Sequence, residues 1–369
     1  MQTLIAFLVV LGVLIFAHEL GHFLAARRLG VKVLKFSLGF GPKLIGKKIG
    51  DTEYLVSIFP LGGYVKLLGE DAEETTPSGE AVPLSAEDRA RSFAFQPLWK
   101  RVVIVGAGPI FNLLLAYLIF TGFLSAGFPM YVPKFESLLP VIETVMEGSS
   151  AMEAGLQAGD RILSIEGRKI SSWTQMTEII QSNPEKPLAM EVERGGKTLK
   201  LTVVPKRKQA KTPDGEETEI GQIGVAKDMK GEAIEATNPL MAAYKGLSVT
   251  YHWTELTVVG IVKLIGRQIE ASNIGGPILI AQMSGRAASE GIVSTALFIA
   301  ILSINLGVIN LLPVPVLDGG HLLFFLIEGV LGRPLSVKKR EIAQQVGLYL
   351  LILLMGLALY NDVVRLFTA

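Results

Sequence analysis

The chain has no cysteine among its 369 residues. That excludes a Cys-ligated zinc site, a thiol nucleophile and structural disulfides, and it leaves both sides of a membrane open to the polar parts. A dominant charge is also lacking: 35 Lys and Arg offset 34 Asp and Glu, for a formal net charge of +1. Nothing in that balance calls for nucleic acid as a partner. A third absence is local. Met1 to Ala17 carries no charge, and no basic residue precedes this apolar run. A cleaved secretory signal has its basic residues first. Here Arg27, Arg28, Lys32 and Lys35 follow instead, so the segment reads as a retained span with its N-terminus outside and Arg27 in the cytoplasm.

Apolar residues are abundant, at 50% hydrophobic, too many for an ordinary soluble enzyme of this length. The sequence therefore predicts a polytopic α-helical membrane protein with about four transmembrane helices. The spans fall in segments 1–32, 102–128, 292–330 and 342–366, each with roughly the 20 residues that crossing a bilayer requires. Basic residues in Arg333 to Arg340 mark a second cytoplasmic turn, which puts both termini outside. Segment 238–270 is less apolar and holds Lys245, Glu255, Lys263 and Arg267. It reads as an amphipathic helix on the membrane surface or against another domain.

Inside the first span lies His18-Glu19-Leu20-Gly21-His22. On a helix, imidazoles four residues apart project from one face and can share a Zn²⁺, with the glutamate turned toward a metal-bound water. Two histidines and a glutamate are costly inside a membrane and point to function. His18 stands nine residues before Arg27, or roughly 13 Å along a helix. The metal would thus lie within the bilayer, nearer its cytoplasmic side.

Segment 33–68 alternates apolar and polar residues between Gly39, Gly41-Pro42, Gly46, Gly50-Asp51 and Gly62-Gly63. That punctuation predicts about four short strands in a membrane-associated β-hairpin sheet. An open edge of such a sheet can hold an extended peptide, so Gly62 and Gly63 are candidate substrate contacts. Segment 69–101 reads as an acidic linker followed by an interfacial anchor with Phe93, Phe95 and Trp99. Segment 135–227 has mixed charge and short strands. Its helix opens at Ser172-Trp173-Thr174-Gln175, a capping box, and the strands Leu188 to Arg194 and Thr198 to Val204 meet across Gly195-Gly196. The run Gly148 to Leu163, with Gly155-Leu156 and Gly159-Asp160, resembles a PDZ domain. Ile220 to Val225 then resembles its peptide-binding strand, with Ile220, Gly221, Ile223 and Gly224 as candidate contacts. The span orientation makes this inserted α+β domain external.

Two histidines leave a catalytic zinc site short of one protein ligand. The best candidate is Asp318, in Asn310-Leu311-Leu312-Pro313-Val314-Pro315-Val316-Leu317-Asp318-Gly319-Gly320. Two prolines break a helix at the cytoplasmic end of the third span, and irregular backbone at that depth belongs in a protein-lined polar cavity.

The HExxH of the first span, Gly108-Pro109-Ile110-Phe111-Asn112 of the second, the PDZ-like insert and the NxxPxPxLDGG of the third together resemble the site-two protease family of intramembrane zinc metalloproteases, in its bacterial sigma-E-regulating branch. The resemblance covers nearly the whole chain. It implies that His18, His22 and Asp318 bind zinc, that Glu19 is the general base, and that Asn310 contacts the substrate backbone or the oxyanion. It further implies an inner-membrane protein that cuts single-span membrane substrates, such as a truncated anti-sigma factor or remnant signal peptides. Enterobacterial members carry two PDZ domains, and this chain has room for one. A competing reading is a non-catalytic, metal-stabilised scaffold presenting a PDZ domain. Glu19 separates the two, since a scaffold needs ligands but no base.

Overall fold

The computed structural model describes residues 2–70, 85–132, 139–211, 217–227, 232–235, 238–266 and 274–368. Most of the expected linker, 71–84, lies outside them. In chain order the elements begin with α1 (Gln2–Arg28), β1 (Val33–Ile49), β2 (Thr52–Leu67) and, after a short unnumbered helix (Ala86–Arg91), α2 (Leu98–Ser125). Next come β3 (Met130–Val132), β4 (Thr144–Val145), α3 (Ser150–Glu153), β5 (Arg161–Ile165), β6 (Arg168–Lys169) and α4 (Trp173–Gln181). The insert finishes with β7 (Leu188–Arg194), β8 (Lys197–Val203), β9 (Lys206–Lys211), β10 (Glu217–Gln222), β11 (Val225–Ala226) and β12 (Glu232–Ile234). The last helices are α5 (Pro239–Ile265), α6 (Pro277–Glu290), α7 (Ile292–Asn310), α8 (Asp318–Leu331) and α9 (Val337–Thr368). The chain divides into a helical unit (1–127, 236–258 and 271–369) and a mainly β unit (128–235 with 259–270).

Among the described residues, four helices are long and apolar enough to cross a membrane: α1, α2, α7 and α9. Between apolar helices in lipid there is no hydrophobic drive, so close approach and hydrogen bonds hold them together. Small residues provide that approach. A Cβ on Gly21 would sit 2.4 Å from the Ala107 carbonyl, and one on Gly307 would sit 3.0 Å from the Pro109 carbonyl. The α1–α2 and α2–α7 crossings therefore meet at neighbouring residues of α2. At one end of this unit, Gly285 of α6 packs on Thr3 of α1. The Asp362 carboxylate of α9 accepts from the Gly276, Ile278 and Leu279 N–H groups, capping α6 at the same end. At the other end Arg101 pairs with Glu328 and Gly329 packs on Leu98. The start of α1 and the end of α9 thus share one face of the bundle.

Several boundaries differ from those expected. The second span begins at Leu98 rather than at 102, because Lys100 reaches the Leu29 carbonyl and Arg101 is paired with Glu328, so both cations are satisfied inside the helix. Segment 292–330 is two helices, split by the turn at 311–317. Segment 238–270 contributes α5, which packs on two spans: Gly246 lies against Thr121, and Thr257 donates to the Asn305 side chain at 2.8 Å. Helix α6 was not expected. Its signals are Gly276 before Pro277 at the first turn, with the cap supplied from 86 residues away.

Strands β1 and β2 are long and bent, and together they form the four strand segments that the sequence predicts. Phe36 lies opposite both Val65 and Tyr54, and Tyr54 lies opposite Lys47 as well. The order across the sheet is therefore 43–49, 52–58, 33–38 and 63–67. The bend falls at Gly39 and Gly41, whose φ values of 93° and 88° suit glycine alone.

The β unit has its own core of Ile142, Ile162, Ile165, Met176, Met190, Val192 and Val203, all nearly fully buried. Each contributes about 1.5–3 kcal/mol. Its four-stranded sheet has the order β6-β5-β7-β8. The β7–β8 hairpin turns at Gly195-Gly196, both with positive φ, as a two-residue turn requires. Ser172 caps α4 by accepting from the Gln175 N–H, while Gln175 returns its bond to Ser171, one residue earlier than a strict box.

Candidate active site

The site is assembled on α1, α2, α8 and the 63–67 edge of the sheet. Four residues apart on α1, His18 and His22 place their Nε2 atoms 3.2 Å from each other. Asp318 Oδ2, from the first turn of α8, is 3.2 Å from His18 Nε2 and 3.5 Å from His22 Nε2. Among the described residues these three form the one group with metal-ligand potential. The Asp318 oxygen is buried and has no hydrogen-bond partner.

This triangle fits zinc. Donors 2.0–2.2 Å from a tetrahedral ion stand roughly 3.3 Å apart, close to all three observed edges. Two imidazole nitrogens and a carboxylate oxygen suit zinc in kind as well as spacing, and three protein ligands are the number a catalytic site uses. The tautomer agrees for His22: its Nδ1 donates to the Ile104 carbonyl at 2.9 Å, which leaves Nε2 with a lone pair.

Helix α2 forms the wall of the site. Pro109 lies inside it; the ring removes an N–H and opens the preceding turn, beside the carbonyl that His22 uses. A Cβ on Gly108 would come within 2.3 Å of His22 Nε2 and 2.8 Å of His18 Cε1. Only hydrogen fits there.

Asp318 is delivered by a constrained turn. Pro313 and Pro315 cannot continue α7, and Val316 is held at φ 135°, a conformation costing about 1–3 kcal/mol for a side chain of this kind. Gly319 and Gly320 let α8 start against the end of α7: Cβ atoms there would lie 2.2 Å from the Leu312 carbonyl and 2.4 Å from the Val314 carbonyl. Gly347 of α9 backs the turn at Pro315 in the same way.

Glu19 faces the sheet edge. The Val65 backbone N–H lies near its carboxylate, and a Cβ on Gly63 would lie 3.0 Å from Glu19 Cγ. Gly62 packs against the Phe40 ring. Asn310 ends α7, half-buried, just ahead of the proline turn. His321 lies one turn beyond Asp318 on α8 and is outside the triangle.

Residues 221–224 of the insert make contacts within its own fold. Ile223 is buried in the core, with its carbonyl taken by the Ala151 N–H. Gly224 is bonded to Met146 and packed on Ser149. Gly221 presses on the Ile180 carbonyl of α4, where its Cβ would sit 2.2 Å away. At Gly221 the strand is in direct contact with the end of α4.

Sequence reasoning missed the Ile104 carbonyl, Val65 and Gly108 as parts of the site. Pro109 inside an apolar span was the available signal, since it marks a place where helix carbonyls seek other donors.

The geometry defines a metallopeptidase embedded in an apolar bundle. The chain matches peptidase family M50, the site-two proteases, over residues 6–354. It belongs to that family and is a zinc metalloprotease of the site-two type. The regulator of sigma-E protease RseP of Escherichia coli is 33% identical, over 98% of each chain. The zinc metalloprotease RasP of Geobacillus kaustophilus is 33% identical, over 100% of this chain and 99% of its own. An Agrobacterium fabrum protein assigned as a zinc metalloprotease is 38% identical, over 98% and 95% respectively. The alignment with the Escherichia coli protein runs over 458 positions against 369 residues here, so at least 89 residues of that relative have no counterpart in this chain.

Proposed function

We propose that this chain cuts single-span membrane proteins within or beside the bacterial inner membrane, using Glu19 as general base and His18, His22 and Asp318 as zinc ligands. The convergence of two imidazole nitrogens and a carboxylate oxygen at metal-ligand spacing carries this reading. Zinc, when bound, polarises the scissile carbonyl and lowers the pKa of water. Glu19 takes the proton and hands it to the leaving amine, and its place on the ligand helix keeps it beside the reacting atoms. The half-buried Asn310 is the donor proposed for the substrate backbone or oxyanion.

A helical substrate shields its own peptide bonds, so the segment to be cut must become extended. The 63–67 edge offers main-chain partners to an added strand, and Gly62 and Gly63 let it come close. The edge touches Glu19, and we read the sheet as membrane-associated for that reason. Candidate substrates are anti-sigma factors already truncated by another protease, and remnant signal peptides. The PDZ-like insert is periplasmic in this reading. Exclusion of bulky substrates is favoured over capture of a peptide terminus, because a single insert leaves less surface for two-site recognition.

The test is a comparison of purified wild type with Glu19→Gln on a single-span substrate. Cleavage should fall by about 10²–10⁴-fold, with zinc content unchanged. A metal-stabilised scaffold predicts no cleavage by either protein.

A further inference from the structure

Both histidines of the triangle turn their second nitrogen toward α2. His22 finds the Ile104 carbonyl; His18 finds the side-chain amide of Asn112. That amide is fully buried, and its nitrogen lies 3.1 Å from His18 Nδ1. Its oxygen has no hydrogen-bond partner. The position is fixed from behind, because Ser303 of α7 donates to the Asn112 carbonyl at 2.8 Å and Gly307 lets the two helices close to contact at the Asn112 Cβ.

The proton count decides which end of the amide His18 needs. For Nε2 to offer a lone pair to a metal, Nδ1 must carry the proton and donate it. An amide N–H facing an imidazole N–H would set donor against donor. The two ends of a carboxamide have the same shape, and a half-turn exchanges them without moving a neighbour. That half-turn presents the unpartnered oxygen to the proton on His18.

We propose that Asn112 accepts the His18 Nδ1–H through Oδ1, so that His18 is held as the Nε2-donating tautomer and its ring is aimed at the metal position. Asn112 is a positioning residue, the side-chain counterpart on α2 of the Ile104 carbonyl that serves His22. The assignment rests on the reading of His18 and His22 as zinc ligands. It gives the buried amide a role beyond helix packing, and it gives α2 a part in metal affinity without supplying a ligand.

The test is zinc affinity of the full chain, measured by competition with a chromogenic chelator, and the visible absorption of the Co²⁺-substituted protein. Asn112→Leu keeps the volume and removes the acceptor. It should weaken zinc by about 10–100-fold and alter the Co²⁺ bands. Asn112→Asp can only accept, so it should hold zinc at least as tightly as wild type. If Asn112→Leu does not fold, the Asp variant still decides, because an acceptor facing the Nδ1–H of His18 does not weaken zinc when that hydrogen bond is the one that holds the ring. Wild-type affinity in Asn112→Leu, or weakened affinity in Asn112→Asp, overturns the proposal. His18→Ala separates the two layers: unchanged zinc affinity there would sink the ligand reading itself, whereas loss there with no effect of Asn112→Leu removes the positioning role alone.

Discussion

Gly108 lies so close to His22 that a methyl group added to it would fall 2.3 Å from Nε2. The two residues sit on different spans, so the second span is shaped to the imidazole that it faces. Gly108→Ala must push His22, and with it His18, out of the triangle. Zinc affinity should fall about 10–100-fold while helix content by circular dichroism is retained. Full zinc occupancy in this variant after dialysis against a weak chelator would show that the wall can yield.

Gly63 tests the sheet edge. A Cβ there meets Ile15, the Ser37 carbonyl and Glu19 Cγ at 2.8–3.0 Å. Gly63→Val should therefore shift Glu19 without touching a ligand. A displacement of about 1 Å in a reacting group costs about 10²-fold in rate, so kcat should drop by that order with zinc content normal. Unaltered kcat would separate the edge from the chemistry.

The membrane orientation is open to labelling, because the chain has no cysteine of its own. In Lys186→Cys and Ser336→Cys variants, both at exposed positions, an impermeant maleimide should reach position 186 only from the periplasm and 336 only from the cytoplasm. Labelling of 186 from the cytoplasm would invert the proposed topology.

The insert should carry an acid-sensitive ion pair. Asp160 is fully buried and accepts from Arg194 Nε at 2.6 Å, Arg194 Nη2 at 2.7 Å and the Gln157 N–H at 2.8 Å. Burial pushes its carboxyl pKa up, but the Arg194 and Gln157 bonds outweigh that and hold it below the ordinary range. A depressed acid stabilises the fold fully above its unfolded value of about 3.9 and loses that contribution as pH falls through the lower folded value. Asp160→Asn should cost about 2–4 kcal/mol at neutral pH and flatten the dependence below pH 4. Trp173, packed against this core, reports unfolding in a Trp99→Phe, Trp253→Phe background. Equal acid sensitivity of both proteins would place the titration elsewhere.

Much of the candidate site could be read in the sequence because its converging side chains come from patterns with fixed geometry. HExxH sets two imidazoles on one helical face, and prolines within an apolar segment announce an irregular turn that must be lined by protein. The four strand segments were legible from glycine spacing for the same reason. Contacts that depend on which helix lies beside which were not. The Ile104 carbonyl has no side-chain signature, and Val65 enters only through the register of the sheet. The cap on α6 comes from Asp362, far beyond any local window. At Ile223 apolar alternation fits a peptide-binding strand and a core strand equally well, and packing buries the side chain in the core.

Asp318 follows His18 by 300 residues, and the third corner of the triangle cannot exist until α8 has been made. At about 5–20 residues per second, the chain spends roughly 15–60 s in the membrane with two imidazoles and no carboxylate to join them. During that interval it sits among newly inserted proteins of the kind it would cut. With Asp318 as the proposed last ligand, its delivery from the final quarter of the chain would make catalytic competence the end point of biosynthesis and leave a half-made protease harmless to its neighbours.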